Sequence, residues 1–250
     1  MIIVFRKIRQ SLLMENKTSK YLKYAAGEII LVVIGILIAL QINNWNEYRK
    51  ENIKEHKIMV NLKEELNQNL KNLDINIKKI DSCLMAMKTI LNLFNKTEKL
   101  KYSSYQFDSL LNGSILNPNF YPSSIILNDL KNSGKIANLN SEVFRKSLYE
   151  WNTSQDRISS SIDLSLKAYD QYLNYLKTIS SLRRIDHANA KQNVGQSILL
   201  ENNFRLLTDL KFENYLDDHY VLMGQRANIY KSARELIENF INMLELQLNG

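Results

Sequence analysis

The chain has 250 residues and contains only seven glycines, two prolines and one cysteine. So few turn-forming residues favour long helices over hairpins and glycine-rich phosphate loops, and a single cysteine excludes an intrachain disulfide and a cysteine-based zinc site. The formal net charge of +7 is typical of a nucleic-acid-binding protein, whereas the 45% hydrophobic content is that of an ordinary folded chain. The position of the charge along the chain decides between these classes.

Most of the positive charge lies at the N-terminus. Residues 1–24 contain six Lys and Arg residues and one Glu, which is +5 of the total +7, so the rest of the chain holds only +2. Because a nucleic-acid-binding domain needs cations clustered across its working face, we expect no nucleic-acid partner. Residues 2–13 have an amphipathic period, and two interpretations stay open: a short helix on an anionic leaflet, or a basic tail that only sets orientation.

An apolar segment follows the basic one. Residues 25–42 contain one ionisable group, Glu28, and Ile29 to Leu40 contain no polar side chain. As a helix this segment would rise about 27 Å, close to the ~30 Å hydrocarbon core of a bilayer. The sequence therefore predicts a transmembrane helix over residues 24–45, in contact with a lipid bilayer. Its predicted anchors at the membrane interface are Lys20, Tyr21, Lys23, Tyr24, Trp45 and Tyr48.

The flanks of the predicted span indicate its type and direction. No small-x-small cleavage site follows the apolar run, which favours an uncleaved signal anchor over a cleaved signal peptide. The positive-inside rule places the basic residues 1–23 in the cytoplasm. We therefore expect an inner-membrane protein whose residues 46–250 lie outside the cytoplasm, in the periplasm where the cell has two membranes.

Three residues of the predicted span share one face. Glu28 lies about 7.5 Å along the helix axis from Lys23, so the headgroup region can solvate it, although an acid within a span is also a functional candidate. Gly35 and Ala39 are a pair of small residues four apart, and they lie within about 40° of Glu28 around the helix. This face is the predicted surface for association between spans.

The opening of the chain resembles that of a known family. The segment GEIILVVIGILIALQINNWNE at residues 27–47, with residues 5–9 and 15–21 before it, is similar to the opening of a large family of uncharacterised single-span membrane proteins common in Bacteroidetes. The turn from Leu127 to Gly134 is similar to a second motif of that family, a domain of unknown function. The resemblance implies an inner-membrane location and a helical outer domain, and it implies no catalytic residues.

The outer domain is predicted to be all-α. Opposite charges three apart at residues 47 and 50, and at 51 and 54, favour an exposed helix that continues outward from the span. Apolar residues then alternate at steps of three and four in three segments. The predicted architecture is an up-and-down bundle of long heptad-patterned helices over about 46–97, 141–183 and 209–248, with a short helical insertion over about 104–137.

Local signals predict details of this bundle. Gly134 is expected to adopt the left-handed conformation after a short helix that ends near Asn132, and Asn140 or Ser141 is expected to cap the second long helix. The apolar seam of the first long helix is predicted to consist of Leu62, Leu66, Leu70, Leu73, Ile77, Ile80, Leu84, Met87, Leu91 and Phe94.

Candidate chemistry is sparse. The consecutive Asp217, Asp218 and His219 form the best-looking metal cluster, yet neighbours on a helix point about 100° apart, so we expect them on a solvated face, as we do Ser159 to Ser161. Cys83 has no second cysteine or adjacent histidine and is interpreted as a packing residue. Four tyrosines could line a small-molecule pocket, but at helical spacing they favour core positions: Tyr169, Tyr172, Tyr175 and Tyr220.

Two hypotheses of function follow. The first is a non-enzymatic envelope scaffold or accessory protein that acts by helix–helix contacts, as a homo-oligomer or with another envelope protein. The alternative is a periplasmic small-ligand-binding or sensor-like bundle that signals through a partner, since the 23 predicted cytoplasmic residues are too few for an output domain. We predict no catalytic residue, metal or cofactor.

Overall fold

A computed structural model describes residues 18–94, 101–189 and 194–249. Every regular element in these ranges is helical, so the predicted all-α class is confirmed for the described part of the chain. The predicted amphipathic segment at residues 2–13 lies outside the described residues, and so do the side chains of Lys20, Tyr21 and Tyr24.

The chain divides into two compact units between Lys57 and Ile58. Short 3-10 turns at Lys135–Asn138 and Phe204–Thr208 accompany the helices. In chain order the helices are α1 (Thr18–Asn92), α2 (Ser104–Ser114), α3 (Ile125–Asn132), α4 (Glu142–Ile179), α5 (Leu182–His187) and α6 (Leu210–Asn249).

In the first unit, α1 carries the apolar segment. An 18-residue window of α1 has a mean hydropathy of 2.5, and none of it is buried. Among the described residues, this helix is long and apolar enough to cross a membrane. The expected pairs beyond the apolar segment are present, with Lys50 Nζ 3.1 Å from Glu47 Oε1 and Lys54 Nζ 2.7 Å from Glu51 Oε1.

In the second unit, α1 and α6 run antiparallel. Three ion pairs join them in reverse order along the two helices, Lys63 with Glu245 at 2.8 Å, Asp74 with Arg234 at 2.7 Å, and Asp81 with Lys231 at 3.1 Å. Ring contacts give the direction of α4: Phe144 lies against Phe240, and Tyr172 against Phe212. Both α1 and α4 therefore run opposite to α6 and parallel to each other.

The chain returns between α1 and α4 through α2 and α3. Cys83 of α1 contacts the end of α2 at Ser114, whereas Asn69, nearer the start of the unit, contacts Ser123 just before α3. The segment predicted as a short insertion is thus the second, descending segment of an up-and-down bundle. It is broken into two helices because Pro118 and Pro122 interrupt it.

Local chemistry sets the ends of these helices. Ser103 begins α2 with a capping box, since its hydroxyl accepts from the Gln106 amide at 3.2 Å and the Gln106 side chain accepts from the Ser103 amide at 2.8 Å. Two predictions are confirmed here. Gly134 has a φ of 66°, in the left-handed region, and the Ser141 hydroxyl caps α4 by accepting from the Phe144 amide at 3.1 Å.

The long helices bury one continuous core. The predicted seam of α1 is wrong in part, because four of its residues are only half-buried (Leu70, Leu84, Leu91 and Phe94), while Asn69, Cys83 and Ile90 are fully buried. The reason is that α1 packs against α2 and α3 as well as α6, so its buried stripe is wider than one heptad line. At Gly113 of α2 the two helices α1 and α2 are close, since a Cβ added to this glycine would lie 2.9 Å from the Cβ of Ala86.

Candidate functional site

Five polar side chains from α1, α2, α4 and α6 meet inside the bundle. They form what we call the polar cluster: Cys83 of α1, Ser114 of α2, Tyr172 of α4, and His219 and Arg226 of α6. All five are fully buried. Burying a polar group costs free energy unless it is hydrogen-bonded, so the partners of each group determine what the cluster can do.

The hydroxyl and thiol groups of the cluster are satisfied. Ser114 Oγ donates to the Leu111 carbonyl at 2.7 Å, so its contact of 2.6 Å with Tyr172 Oη leaves the tyrosine as the donor. The Cys83 thiol lies 3.3 Å from the Leu116 carbonyl. Burial raises the pKa of Cys83 to about 12 and also raises the pKa of Tyr172. Both groups are therefore neutral at physiological pH.

Arg226 is a buried cation held by two amides. Its Nη1 donates to Asn119 Oδ1 at 2.6 Å and its Nη2 to Asn117 Oδ1 at 2.9 Å, whereas its Nε has no hydrogen-bond partner. Within the described residues, Arg226 forms no ion pair with a carboxylate. Burial lowers the pKa of Arg226, although the guanidinium stays protonated because its ordinary pKa is so high.

The ring of His219 contacts the rings of Tyr172, at a centroid distance of 5.4 Å, and of Tyr169, at 5.6 Å. Neither ring nitrogen has a hydrogen-bond partner. Burial, and then the charge of Arg226, lower the pKa of His219 to about 4, and the nearby Ser114 backbone only partly opposes this shift. The imidazole is therefore neutral at pH 7.

The predicted solvated face is therefore wrong at His219, although Asp217 and Asp218 are exposed as expected. The two acidic neighbours favour a solvated position for His219, but adjacent residues on a helix point about 100° apart, so their exposure does not extend to His219. The seam of α6 includes Leu216 and Met223, and His219 lies on this line. Ser161 is likewise buried rather than on the outer face, and its hydroxyl donates to the Ile158 carbonyl.

The polar cluster contains a thiol and an imidazole, but their environment does not favour nucleophilic catalysis. A reactive cysteine needs a lowered pKa, which in a Cys–His pair comes from a neighbouring imidazolium. Here the pKa of Cys83 is raised and that of His219 is lowered, which disfavours both charged forms. Cys83 is a buried packing residue, as predicted.

The predicted tyrosines do not converge on one pocket. Tyr172 is in the core, whereas Tyr169, Tyr175 and Tyr220 are half-buried. Tyr175 donates outward to Asp209 Oδ2 at 2.8 Å. A cavity of about 320 Å³ between α4 and α6 is lined by other residues, among them Arg157, Leu164 and Arg226.

A second buried polar group was not predicted from the sequence. Asp108 of α2 pairs with Arg184 of α5 at 3.3 Å and accepts from Asn203 Nδ2 at 2.7 Å, and all three residues are buried. We call this group the α2–α5 clasp. Burial raises the pKa of Asp108, and the hydrogen bond from Asn203 and the charge of Arg184 oppose that shift. No motif links these three positions, which lie far apart in the chain.

The predicted association face lies on the exposed apolar segment of α1. Gly35 and Ala39 are exposed and Glu28 is half-buried; a Cβ added to Gly35 would meet nothing within 4 Å. The anchors Lys23, Trp45 and Tyr48 are exposed as well. In the part of the chain that the structure describes, no three His, Cys, Asp or Glu side chains are grouped as metal ligands.

Comparison with known proteins places the chain in a family. No curated protein and no solved structure matches it significantly. One family model matches residues 28–214, a range that includes most of the predicted span, the turn at Gly134 and the polar cluster as far as Tyr172. Because this match covers more than half of the chain, the protein belongs to the family of unknown function DUF6090.

Proposed function

We propose that this protein is a single-pass membrane protein whose helical bundle lies outside the cytoplasm and acts without catalysis. In this proposal it is a scaffold or accessory protein of the cell envelope that works through helix–helix contacts. The resemblance of its opening to single-span proteins of Bacteroidetes supports an inner-membrane location, with residues 1–23 in the cytoplasm and residues 46–250 in the periplasm or its equivalent.

One observation carries the proposal. The apolar window of α1 has no buried residue, whereas the second unit buries its own apolar seams in one core. An exposed apolar surface of this length is unfavourable in water and marks a membrane or protein contact. Its length suits a bilayer, and the +5 charge of residues 1–24 favours an N-terminus in the cytoplasm.

The orientation is tested with reporter fusions. A reporter enzyme that is active only outside the cytoplasm, fused after Gly250, is expected to be active, because the positive-inside rule directs the C-terminal unit outward. The same reporter placed before Met1 serves as the control and is expected to be inactive. An inactive C-terminal fusion that is well expressed and membrane-bound would refute the proposed topology.

Self-association through the span is tested by cross-linking. Asn46 lies about 20° from Gly35 around the helix, just beyond the predicted span, so Asn46→Cys is expected to form a disulfide between two copies. Cys83 is buried and does not interfere. Phenylalanine at both Gly35 and Ala39 is expected to abolish this cross-link, because bulky side chains prevent close approach of the two backbones.

The matched control carries phenylalanine at Val33 and Leu37, which lie on the opposite side of the same helix. This variant adds similar bulk and is expected to keep the cross-link. Equal cross-linking in the two phenylalanine variants would exclude the face of Glu28, Gly35 and Ala39 as the contact between the two copies.

A further inference from the structure

A cavity of about 320 Å³ lies between α4 and α6 in the second unit. Its walls are apolar at Leu164, Leu222 and Ile229, and the small side chain of Ser161 borders it from α4. This size is near the lower end of the range for small-molecule sites, which is about 300–1,000 Å³. The cavity has room for a short aliphatic chain.

Two arginines also line the cavity. Arg226 is fully buried and its Nε has no hydrogen-bond partner, while its Nη1 and Nη2 donate to two amide oxygens and Nη2 also to Met223 Sδ, none of which is a carboxylate. Arg157 is exposed at the rim and forms no ion pair with a described residue. Asp156 is the only acidic residue in the lining, so the cations outnumber the anions by two to one.

This charge distribution is incomplete without an anion. A buried ion is costly unless an opposite charge and hydrogen bonds compensate it, and the two asparagines supply only the hydrogen bonds. A guanidinium is matched best by a planar anion such as a carboxylate. The apolar walls, in turn, require that the rest of the ligand be apolar.

We propose that this cavity binds a small organic carboxylate with a short aliphatic chain. The carboxylate is directed to Arg157 and Arg226, and the chain contacts Leu164, Leu222 and Ile229. The site does not depend on the scaffold function proposed above, since it lies wholly within the second unit.

The test uses the full-length protein in lipid nanodiscs and measures binding calorimetrically. Hexanoate is the probe, hexan-1-ol is its neutral analogue of equal chain length, and inorganic phosphate is an anion without a chain. We expect hexanoate to bind at one site and to bind at least about tenfold more tightly than either of the other two, because only hexanoate has both the charge and the chain. Equal binding of hexanoate and hexan-1-ol would overturn the role of the arginines, and equal binding of phosphate would overturn the role of the apolar walls.

Two exposed positions give variants that keep the fold. Arg157→Gln is expected to weaken hexanoate binding about tenfold through loss of a charge-assisted contact. Leu164→Trp is expected to abolish it by filling the cavity. Lys167→Gln removes an exposed cation of the same helix outside the cavity lining, and it is expected to leave binding unchanged. Hexanoate binding that persists unchanged in both cavity variants would overturn the proposed site.

Discussion

Replacing Asp108 with alanine is expected to lower the free energy of unfolding of the bundle by about 3–5 kcal/mol. The substitution leaves Arg184, which is only 7% exposed, without its ion partner and still buried. It also removes the acceptor for Asn203. The measurement is urea unfolding of the full chain in detergent, followed by the fluorescence of Trp151 in a Trp45→Phe background.

Two further variants test whether the loss of stability comes from leaving Arg184 buried without its ion partner. Asp108→Leu combined with Arg184→Met removes both charges of the clasp and is expected to regain most of the lost stability, because burial already raises the pKa of Asp108 and so opposes its charged form. Asp81→Ala breaks the exposed pair with Lys231 and is expected to cost less than about 1 kcal/mol. If Asp108→Ala costs no more than Asp81→Ala, the clasp does not stabilise the fold.

The second large effect is a loss of stability in acid caused by His219. In the unfolded chain the imidazole takes up a proton below about pH 6.5, whereas in the folded bundle it does so only near its lowered pKa of about 4. Between these values the unfolded state binds more protons, so stability falls as the pH falls. Above pH 6.5 the contribution is fully present, and by pH 4 the loss from this residue is about 3 kcal/mol.

The measurement is the free energy of unfolding as a function of pH, compared between the unchanged protein and two variants. His219→Leu is expected to flatten the profile between pH 6.5 and pH 4, whatever its effect at pH 7, since it removes the titrating group from beside Arg226. His56→Gln alters an exposed histidine of the first unit and is expected to keep the profile of the unchanged protein. Parallel profiles for the His219→Leu and unchanged proteins would show that the imidazole is not the source of the acid sensitivity.

The spacing of apolar residues in the sequence was sufficient to predict the long helices. In α4 and α6 most residues of the predicted heptad lines are buried, although Gln155, Tyr169 and Leu248 on those lines are only half-buried. The line on α1 was wrong at Asn69, which looks like a surface residue but is fully buried. Its amide donates to the Ser123 carbonyl at 2.9 Å and accepts from the Ser123 amide at 2.8 Å. That partner lies 54 residues away, so local periodicity could not identify it.

The candidate site was much less predictable than the fold. His219 carried a usable signal, because extending the seam of α6 backward from Ala227 through Met223 reaches it. Arg226 carried none, since a cation one residue before a core alanine is normally exposed. Its burial depends on Asn117 and Asn119, which flank Pro118 in the irregular stretch between α2 and α3. Irregular backbone has no period, and so the partners of Arg226 could be seen only in three dimensions.

The stretch between α2 and α3 is held by hydrogen bonds to α6, and these bonds also set the order in which the bundle can be completed. Tyr230 accepts from the Phe120 amide at 2.9 Å, and Arg226 binds Asn117 and Asn119. Because α6 follows the other helices of the bundle in the sequence, these groups lack their partners until its forty residues are made. A nascent chain that stops before α6 therefore exposes the inner faces of three segments, which makes it a target for chaperones and proteases.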